Sequence, residues 1–366
     1  MPDKPLRSIS LSGFRSIQEV SALELNPGLN VLIGGNGAGK SNFISFFQMI
    51  GEMMDENRGL QNYIARKGGA DALLFRGAET TEKLRAVLEF RNNLYNMELA
   101  PTDDGRMYFA HESASLLKGR FGDSTYNKGS GHYESWFKNV NENDFAGERF
   151  TADALKDWRV YHFHNTSEKA PLMKPVNAVD NERLWGNAGN IAAFLWRLQQ
   201  EHEAHYQRIV NHIKLAAPFF GEFVLKPNSQ DQVQLLWREK YGEKLYYPHQ
   251  LSDGTIRFIC LATLLLQPDP PSTIIIDEPE LGLHPSAITT LAGILRLAED
   301  EAQIIVSTQS SPLIDHLELE DLIVIDRVEG ATTLKKLREE DFAEWMDEYS
   351  LGELWDKNLL GGMPQL

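Results

Sequence analysis

Leu251-Ser252-Asp253-Gly254-Thr255 and, a short way on, Thr273-Ile274-Ile275-Ile276-Asp277-Glu278-Pro279-Glu280 decide how this chain folds. Four β-branched residues ending in two carboxylates describe a parallel strand buried on both faces, with its acids at the carboxyl end. Ligands of open α/β sheets bind at that end. Far upstream stands what those acids would act on, Gly34-Gly35-Asn36-Gly37-Ala38-Gly39-Lys40-Ser41. Leu29 to Ile33 reads as a strand running straight into it, and Asn42 to Met54 has helical periodicity. Strand, glycine loop and helix together are the context that a phosphate-binding loop requires. Its amides and the helix N-terminus form an electropositive nest for phosphates. Lys40 would reach the β- and γ-phosphates of ATP, and the Ser41 hydroxyl would take one Mg²⁺ position.

The chain has 366 residues and a formal net charge of −16, with 42% hydrophobic and 24% charged residues. That is the composition of a globular protein with a large core. The acid excess argues against indiscriminate nucleic-acid binding over the whole surface, while leaving room for a local basic groove. Lys118 with Arg120, and Lys335-Lys336 with Arg338, are candidates for one. The richest apolar run, Phe258 to Leu266, is far shorter than the ~18 residues of a membrane span and reads as a core helix. No apolar signal region opens the chain, and Cys260 is the only cysteine. Both point to a cytoplasmic protein without disulfides.

Taken in order, Arg7 to Val20 alternates like an edge strand that turns at Gly13. Leu84 to Phe90 and Met97 to Ala100 read as strands of an antiparallel sheet flanking the nucleotide. Residues 101–150 lose periodicity and gain Gly, Asn, Ser and Asp, with Lys128-Gly129-Ser130-Gly131 the clearest loop signal. They are expected to form an exposed, irregular insertion. Trp158 to Phe163 resumes a strand and ends at His164-Asn165-Thr166-Ser167. Apolar residues then recur at helical spacing from Ala188 to Ala217, as one helix or two. Phe223 to Leu225 and Val233 to Trp237 suggest a hairpin. Thr255 to Leu266 and Ser286 to Ala298 read as helices, Gln303 to Val306 and Leu322 to Ile325 as buried strands. The division expected is an N-terminal half over 1–180, a helical lobe over 181–225 and a C-terminal half over 226–366. The closing Gly361-Gly362-Met363-Pro364 reads as a plain turn.

Asp277 and Glu278 are adjacent at a strand end, so their side chains diverge to different tasks. The first would hold Mg²⁺, and the second would orient and deprotonate the attacking water. Gly34 to Ser41 as Walker A, Leu251 to Thr255 as signature and Ile274 to Glu278 as Walker B together resemble an ABC-type ATPase head. Gly13-Phe14-Arg15-Ser16, the signature Leu-Ser-Asp-Gly-Thr-Ile-Arg, the run Asp277-Glu278-Pro279-Glu280-Leu281-Gly282-Leu283-His284-Pro285 and Ser307-Thr308-Gln309-Ser310-Ser311-Pro312 are similar to the SMC/RecF/OLD group rather than the transporters. The resemblance implies an α/β fold with a mixed central sheet flanked by helices, an antiparallel β subdomain and a helical lobe. It also implies ATP and Mg²⁺ as cofactors. Nucleotide contacts are expected from Arg15, Asn36, Gly37, Ala38, Gly39, Lys40, Ser41 and Asn42, metal contacts from Ser41 and Asp277, and catalysis from Glu278, Lys40 and Gln309. In such heads the signature of one subunit closes over ATP held by another, which gives Ser252, Asp253 and Gly254 a role in trans.

Gln309 stands where many ABC heads carry a switch histidine; its amide can hydrogen-bond but cannot titrate. Asp253 replaces the first glycine of the transporter signature, which argues against an importer or exporter. Asn165 is the expected polar contact in place of the family's Q-loop glutamine. His284, in the stretch that resembles the D-loop, and the histidines at 162, 164, 202 and 205 are expected to be structural, since no zinc spacing joins them. The function expected is an ATPase that dimerises on ATP and controls a nucleic-acid or nuclease partner, in phage defence or DNA maintenance. OLD relatives carry a Toprim nuclease after the ATPase. Here only about forty residues follow Leu322, too few for a domain, so a nuclease is expected on a separate polypeptide. The alternatives are a DNA-repair clamp that binds DNA directly, a transporter's ATP-binding subunit, and a nucleotide-gated interaction protein that barely turns ATP over.

Overall fold

The computed structural model describes residues 4–119 and 122–362. β1 (Ser8–Phe14) and β2 (Ile17–Glu24) form a hairpin. Gly13 permits its turn: φ is +74°, and a Cβ there would come within 2.5 Å of the Lys83 carbonyl oxygen, so a side chain is excluded twice over. β3 (Leu29–Ile33) is buried throughout and leads through the glycine loop into α1 (Lys40–Met54), after which comes α2 (Leu60–Arg66). β4 (Leu84–Glu89), β5 (Asn93–Pro101), β6 (Met107–Gly119) and β7 (Gly122–Asn127) extend the hairpin into a six-stranded antiparallel sheet of order β2-β1-β4-β5-β6-β7.

Next come α3 (Ala146–Lys156), β8 (Trp158–Tyr161), α4 (Ile191–Glu201) and α5 (Glu203–Ala216). The chain continues through β9 (Phe220–Val224), β10 (Leu236–Glu239) and α6 (Asp253–Leu265) to β11 (Thr273–Asp277). It closes with α7 (Pro285–Ala298), β12 (Gln303–Thr308), α8 (Ser311–Ile314), β13 (Leu322–Val328), β14 (Ala331–Lys336) and α9 (Leu351–Asp356). The second six-stranded sheet has the order β14-β13-β3-β12-β11-β8; every pair is parallel except β14 with β13. Among the described residues no helix is long and apolar enough to cross a membrane.

Strand alternation sorts this sheet's residues into two cores. Leu32, Ile275, Ile305 and Ile323 face α1 and the antiparallel sheet, packing with Phe43, Phe46 and Phe47. Val31, Ile274, Ile276, Ile304 and Val306 face the other way, onto the helices α4, α5, α6 and α7. Because β3, β11 and β12 are parallel neighbours, their carboxyl ends deliver the phosphate loop, the two acids and the Ser-Thr-Gln run to one edge.

The expectation of an irregular insertion over 101–150 is corrected: β6, β7 and the start of α3 lie there. Buried polar residues concealed the alternation. Glu112 is 0% exposed in mid-strand and accepts hydrogen bonds from the Tyr95 hydroxyl (2.7 Å), the His132 ring (2.8 Å) and the Ser135 hydroxyl. Residues 128–131 are a loop, with Gly129 and Gly131 at φ +81° and +92°. The helical stretch is two helices that break at His202. The expected hairpin pairs β9 with β10, while Gln232–Val233 leaves to pair with Val176–Asn177.

Candidate nucleotide site

Two close approaches make the loop's glycines necessary. A Cβ on Gly34 would lie 2.4 Å from the Ile325 carbonyl oxygen, and one on Gly39, at φ +116°, would lie 2.1 Å from Thr332 Oγ1. Lys40 is 6% exposed, and its Nζ donates to the carbonyls of Gly34 (2.6 Å) and Gly35 (3.3 Å). Burial lowers its pKa, while the charges of Glu278, Asp277 and Glu280 pull the other way. The ammonium is thus held, partly desolvated, at the mouth of the loop.

β11 and β12 grip each other at their ends through three successive pairs. Ser307 Oγ donates to Asp277 Oδ1. Thr308 Oγ1 donates to Glu280 Oε1 at 2.5 Å, and Gln309 Nε2 donates to Glu278 Oε1 at 2.5 Å. Gln309 Nε2 also reaches Asn36 Oδ1 at 3.0 Å, and Ser41 Oγ donates to Asp277 Oδ2 at 3.2 Å. Walker A, Walker B and the switch are therefore one hydrogen-bonded cluster. Glu278 has φ +44°, a left-handed conformation that costs a non-glycine residue ~1–2 kcal/mol. Its amide, bonded to the Ser307 carbonyl (3.0 Å) and Oγ (3.2 Å), holds it there. The strain turns the carboxylate away from Asp277 and toward Gln309.

Glu280 escaped the sequence reading as a site residue. It is 9% exposed, and its Oε2 is buried without a partner. Burial is the main reason its pKa is raised, against hydrogen bonds from Thr308 and Gln309 that favour the charged form. A raised carboxyl pKa means that the folded state binds the proton more tightly, so stability falls as pH climbs through the folded pKa. Glu280→Gln is expected to match the wild type in denaturant unfolding below pH ~4, under both pKa values. Above the folded pKa the variant is expected to be the more stable of the two. A constant difference at every pH would contradict the raised pKa.

Arg15, at φ +50°, donates from Nη1 to Asn42 Oδ1 at 3.4 Å. Asn42 Nδ2 in turn donates to Ser16 Oγ at 2.6 Å. Thr332 Oγ1 spends its proton on the Ala38 carbonyl (2.8 Å), so the 2.7 Å contact with Ser16 Oγ takes the serine's proton. Thr332, on the β13–β14 hairpin, thereby braces the phosphate loop, a role no local signal in the sequence marks. Arg15, Arg76 and Arg327 line a cavity of about 420 Å³ beside Asn42.

The closing glycines are more than a turn. The Gly362 carbonyl accepts from the Gly35 amide at 2.7 Å, and a Cβ on Gly362 would lie 2.9 Å from Val324 Cγ1. α9, just before them, is tied to the segment after the switch: Ser311 Oγ donates to Asp356 Oδ1 at 2.5 Å, and the Gly352 amide to Asp315 Oδ1 at 2.7 Å. One strap thus joins the switch segment to the phosphate loop. Its only sequence signal is the glycine pair.

Ser252 caps α6, its Oγ accepting from the Thr255 amide at 3.2 Å, and Ser252 and Asp253 are exposed. Gly254 is required because a Cβ would come within 2.3 Å of the Gly282 carbonyl oxygen. No hydrogen bond joins residues 252–254 to residues 34–42 among the described residues. His284 caps α7 by accepting from the Ser286 amide at 3.3 Å. Asn165 is exposed and accepts from Ser167 Oγ at 2.8 Å, closing its own turn. Of the basic candidates, Arg120 and the Lys118 side chain lie outside the described residues. Lys336 donates to Asn26 Oδ1 at 2.5 Å, and Lys335 and Arg338 face Asp341 and Glu340 at 4.0 and 3.6 Å, so that group is matched by its own acids.

Comparison with solved structures finds SMC heads. A head bound to the C-winged helix domain of ScpA aligns with TM-score 0.60 and 15% identity, over 93% of this chain and 99% of that one. A Pyrococcus furiosus head with an extended coiled coil, bound to the C-terminal domain of ScpA, gives TM-score 0.60 and 15% identity over 94% and 99%. A Pyrococcus yayanosii head with a coiled coil and joint gives 0.53 and 12% over 94% and 99%. At such identities the likeness is one of fold, that of an ABC-type P-loop ATPase. No curated protein matches the chain. Residues 29–315, which run from β3 past the switch and hold both Walker motifs and the signature, match the family described as "AAA domain, putative AbiEii toxin, Type IV TA system", and the chain belongs to it.

Proposed function

We propose that this chain is a Mg²⁺-dependent ATPase that works as a pair, each copy's signature closing over the triphosphate held by the other. The observation that carries the reading is an incomplete site. Walker A, Walker B and the switch are knit together by Ser41–Asp277, Gln309–Glu278 and Gln309–Asn36, whereas Ser252 and Asp253 stand exposed with no bond to that cluster. The α6 N-terminus behind them offers its amides and dipole to an anion brought by a second copy.

Ser41 and Asp277 are the residues that would hold Mg²⁺. Their oxygens lie 3.2 Å apart, close enough for both to serve one hard cation, which takes oxygen ligands. When bound, the ion offsets charge on the β- and γ-phosphate oxygens. Lys40 exchanges its loop carbonyls for phosphate oxygens. Glu278 takes the proton of the attacking water as oxygen adds to the γ-phosphorus and the bond to ADP breaks. Gln309, between Glu278 and Asn36, positions that water. Closure of the pair is the output, passed to a nucleic acid or to a separate nuclease or Toprim-type partner in the cytoplasm, in phage defence or DNA maintenance.

The test is complementation. Lys40→Ala and Ser252→Arg, the second at an exposed signature position, each disable one half of the composite site, so neither turns ATP over alone. Mixed in equal amounts, they are expected to recover about a quarter of wild-type sites, because half of the pairs are mixed and each has one intact site. A mixture no more active than its components would end the trans arrangement.

A further inference from the structure

At the end of α1 remote from the phosphate loop, Arg159 on the edge strand β8 and Arg183 in the segment that lies along it stand together without hydrogen-bond partners among the described residues. β8 pairs only with β11. The guanidinium groups of Arg159, half-buried, and Arg183, exposed, make no hydrogen bond or ion pair among the described residues. Burial and the charge of Arg183 hold Arg159 below its ordinary pKa, against the weaker pull of Tyr161, Asp157 and Asp55. A partly desolvated cation beside a second cation is unfavourable until an anion joins them.

Both arginines line a cavity of about 570 Å³ between the C-terminal half of α1 and residues 183–187. Of its two acids, Glu52 is paired with Arg66 and with Arg58, which also lines the cavity, and Asp55 borders the cavities on both sides of the arginines. On the other side of the arginines a cavity of about 710 Å³ is lined by Asp55, Glu56, Asp153, Asp157 and Glu301, which outnumber its bases even with Lys4 and Lys156, whereas in the first cavity Arg58 and the two arginines outnumber the acids. The anion therefore belongs on the first side. There Trp185, 42% exposed, forms an aromatic wall. Its position is fixed: its amide donates to Asn190 Oδ1 at 2.9 Å, and a Cβ on Gly189 would lie 3.3 Å from its ring. Gly186 lets this segment lie against the strand, since a Cβ there would come within 2.8 Å of the Val160 carbonyl oxygen.

We propose that this groove binds single-stranded nucleic acid, one phosphodiester lying across Arg159 and Arg183 and the adjoining base stacking on Trp185. Paired guanidinium forks suit a phosphate, and an exposed indole stacks a base of any sequence once strand pairing no longer shields it. A third cavity of about 280 Å³ meets the same two arginines, so the groove runs on past them, as a strand requires and a lone nucleotide does not; Asp157, Glu182 and Asp269 also line it, so it would take the amino groups of a following base and not a second phosphate. The proposal does not depend on ATP turnover, and no residue of the phosphate loop lines the groove.

The test is fluorescence anisotropy with a labelled strand of about 12 nucleotides. Wild-type protein is expected to bind it, more weakly as salt rises. Arg159→Gln with Arg183→Gln is expected to weaken binding at least ~10-fold and to flatten the salt slope by ~0.7, the share of the one phosphate they hold. Trp185→Ala is expected to cost roughly ten-fold. ATPase activity without nucleic acid, measured in parallel, is expected to stay at the wild-type level in all three. A loss of turnover would therefore bear on the ATPase reading and not on the groove. Arg183 is exposed, so Arg183→Glu serves if the double variant fails to fold. Wild type that ignores the strand, or variants that bind as wild type does, would overturn the site. Equal affinity for a mononucleotide would overturn the strand, and equal affinity for duplex would overturn the stacking.

Discussion

Lys40→Ala is expected to lower ATP affinity at least ~100-fold and to leave no measurable turnover. Lys40 Nζ is buried and already bonded to two loop carbonyls, at 2.6 and 3.3 Å, so little ordering remains to be done when phosphate arrives. Two charge-assisted hydrogen bonds to phosphate oxygens, at ~1.5–3 kcal/mol each, account for a loss of that size. The variant is expected to fold, because among the described residues the Lys40 ammonium bonds only to the Gly34 and Gly35 carbonyls of its own loop and to no other element. Isothermal titration with ATP and Mg²⁺ measures the affinity, and a phosphate-release assay the rate. Affinity within a few-fold of wild type would mean that ATP is not held by this loop. Lys40→Arg keeps the charge in a larger, planar group and is expected to bind nearly as poorly.

The sequence was most legible where a single local rule decided the outcome. Gly34 to Ser41 lies between a five-residue buried strand and a helix, and the structure puts it there. The same holds for Thr273–Asp277, whose four β-branched residues leave no other pattern. What the sequence hid were contacts between distant segments. Thr332 braces Ala38, and Gly362 meets Gly35, across more than 290 residues, and neither position has a periodicity or neighbour that marks it. Glu112 was hidden for a different reason: a carboxylate in mid-strand reads as a solvent-facing residue, and the tyrosine, histidine and serine around it, with the Trp136 amide, make burial tolerable. Asn165, expected as a polar contact because it follows a strand in the right region, is exposed and accepts from Ser167 in its own turn, a bond that does not bear on a ligand contact either way.

Glu278→Gln separates closure from chemistry, and the geometry indicates why it should do so cleanly. The amide replaces one oxygen with nitrogen and keeps Oε1, the atom that accepts from Gln309 Nε2. The left-handed backbone at φ +44°, held by the bonds to Ser307, depends on the main chain and not on the carboxylate. Only the base is lost. General-base catalysis contributes ~10²–10⁴-fold, so turnover is expected to fall by that factor while ATP binding stays near the wild-type value. A pair that closes on ATP and opens after hydrolysis then has no way to open. Sedimentation velocity with ATP and Mg²⁺ is expected to show a dimer that reverts to the resting species when EDTA removes the metal. Turnover within ten-fold of wild type would take the water-activating role from Glu278. A variant that binds ATP but sediments as a monomer at high protein concentration would leave the chemistry intact and refute the closing pair. The two results separate because one reads the acid on its own strand, the other the exposed face around Ser252 and Asp253.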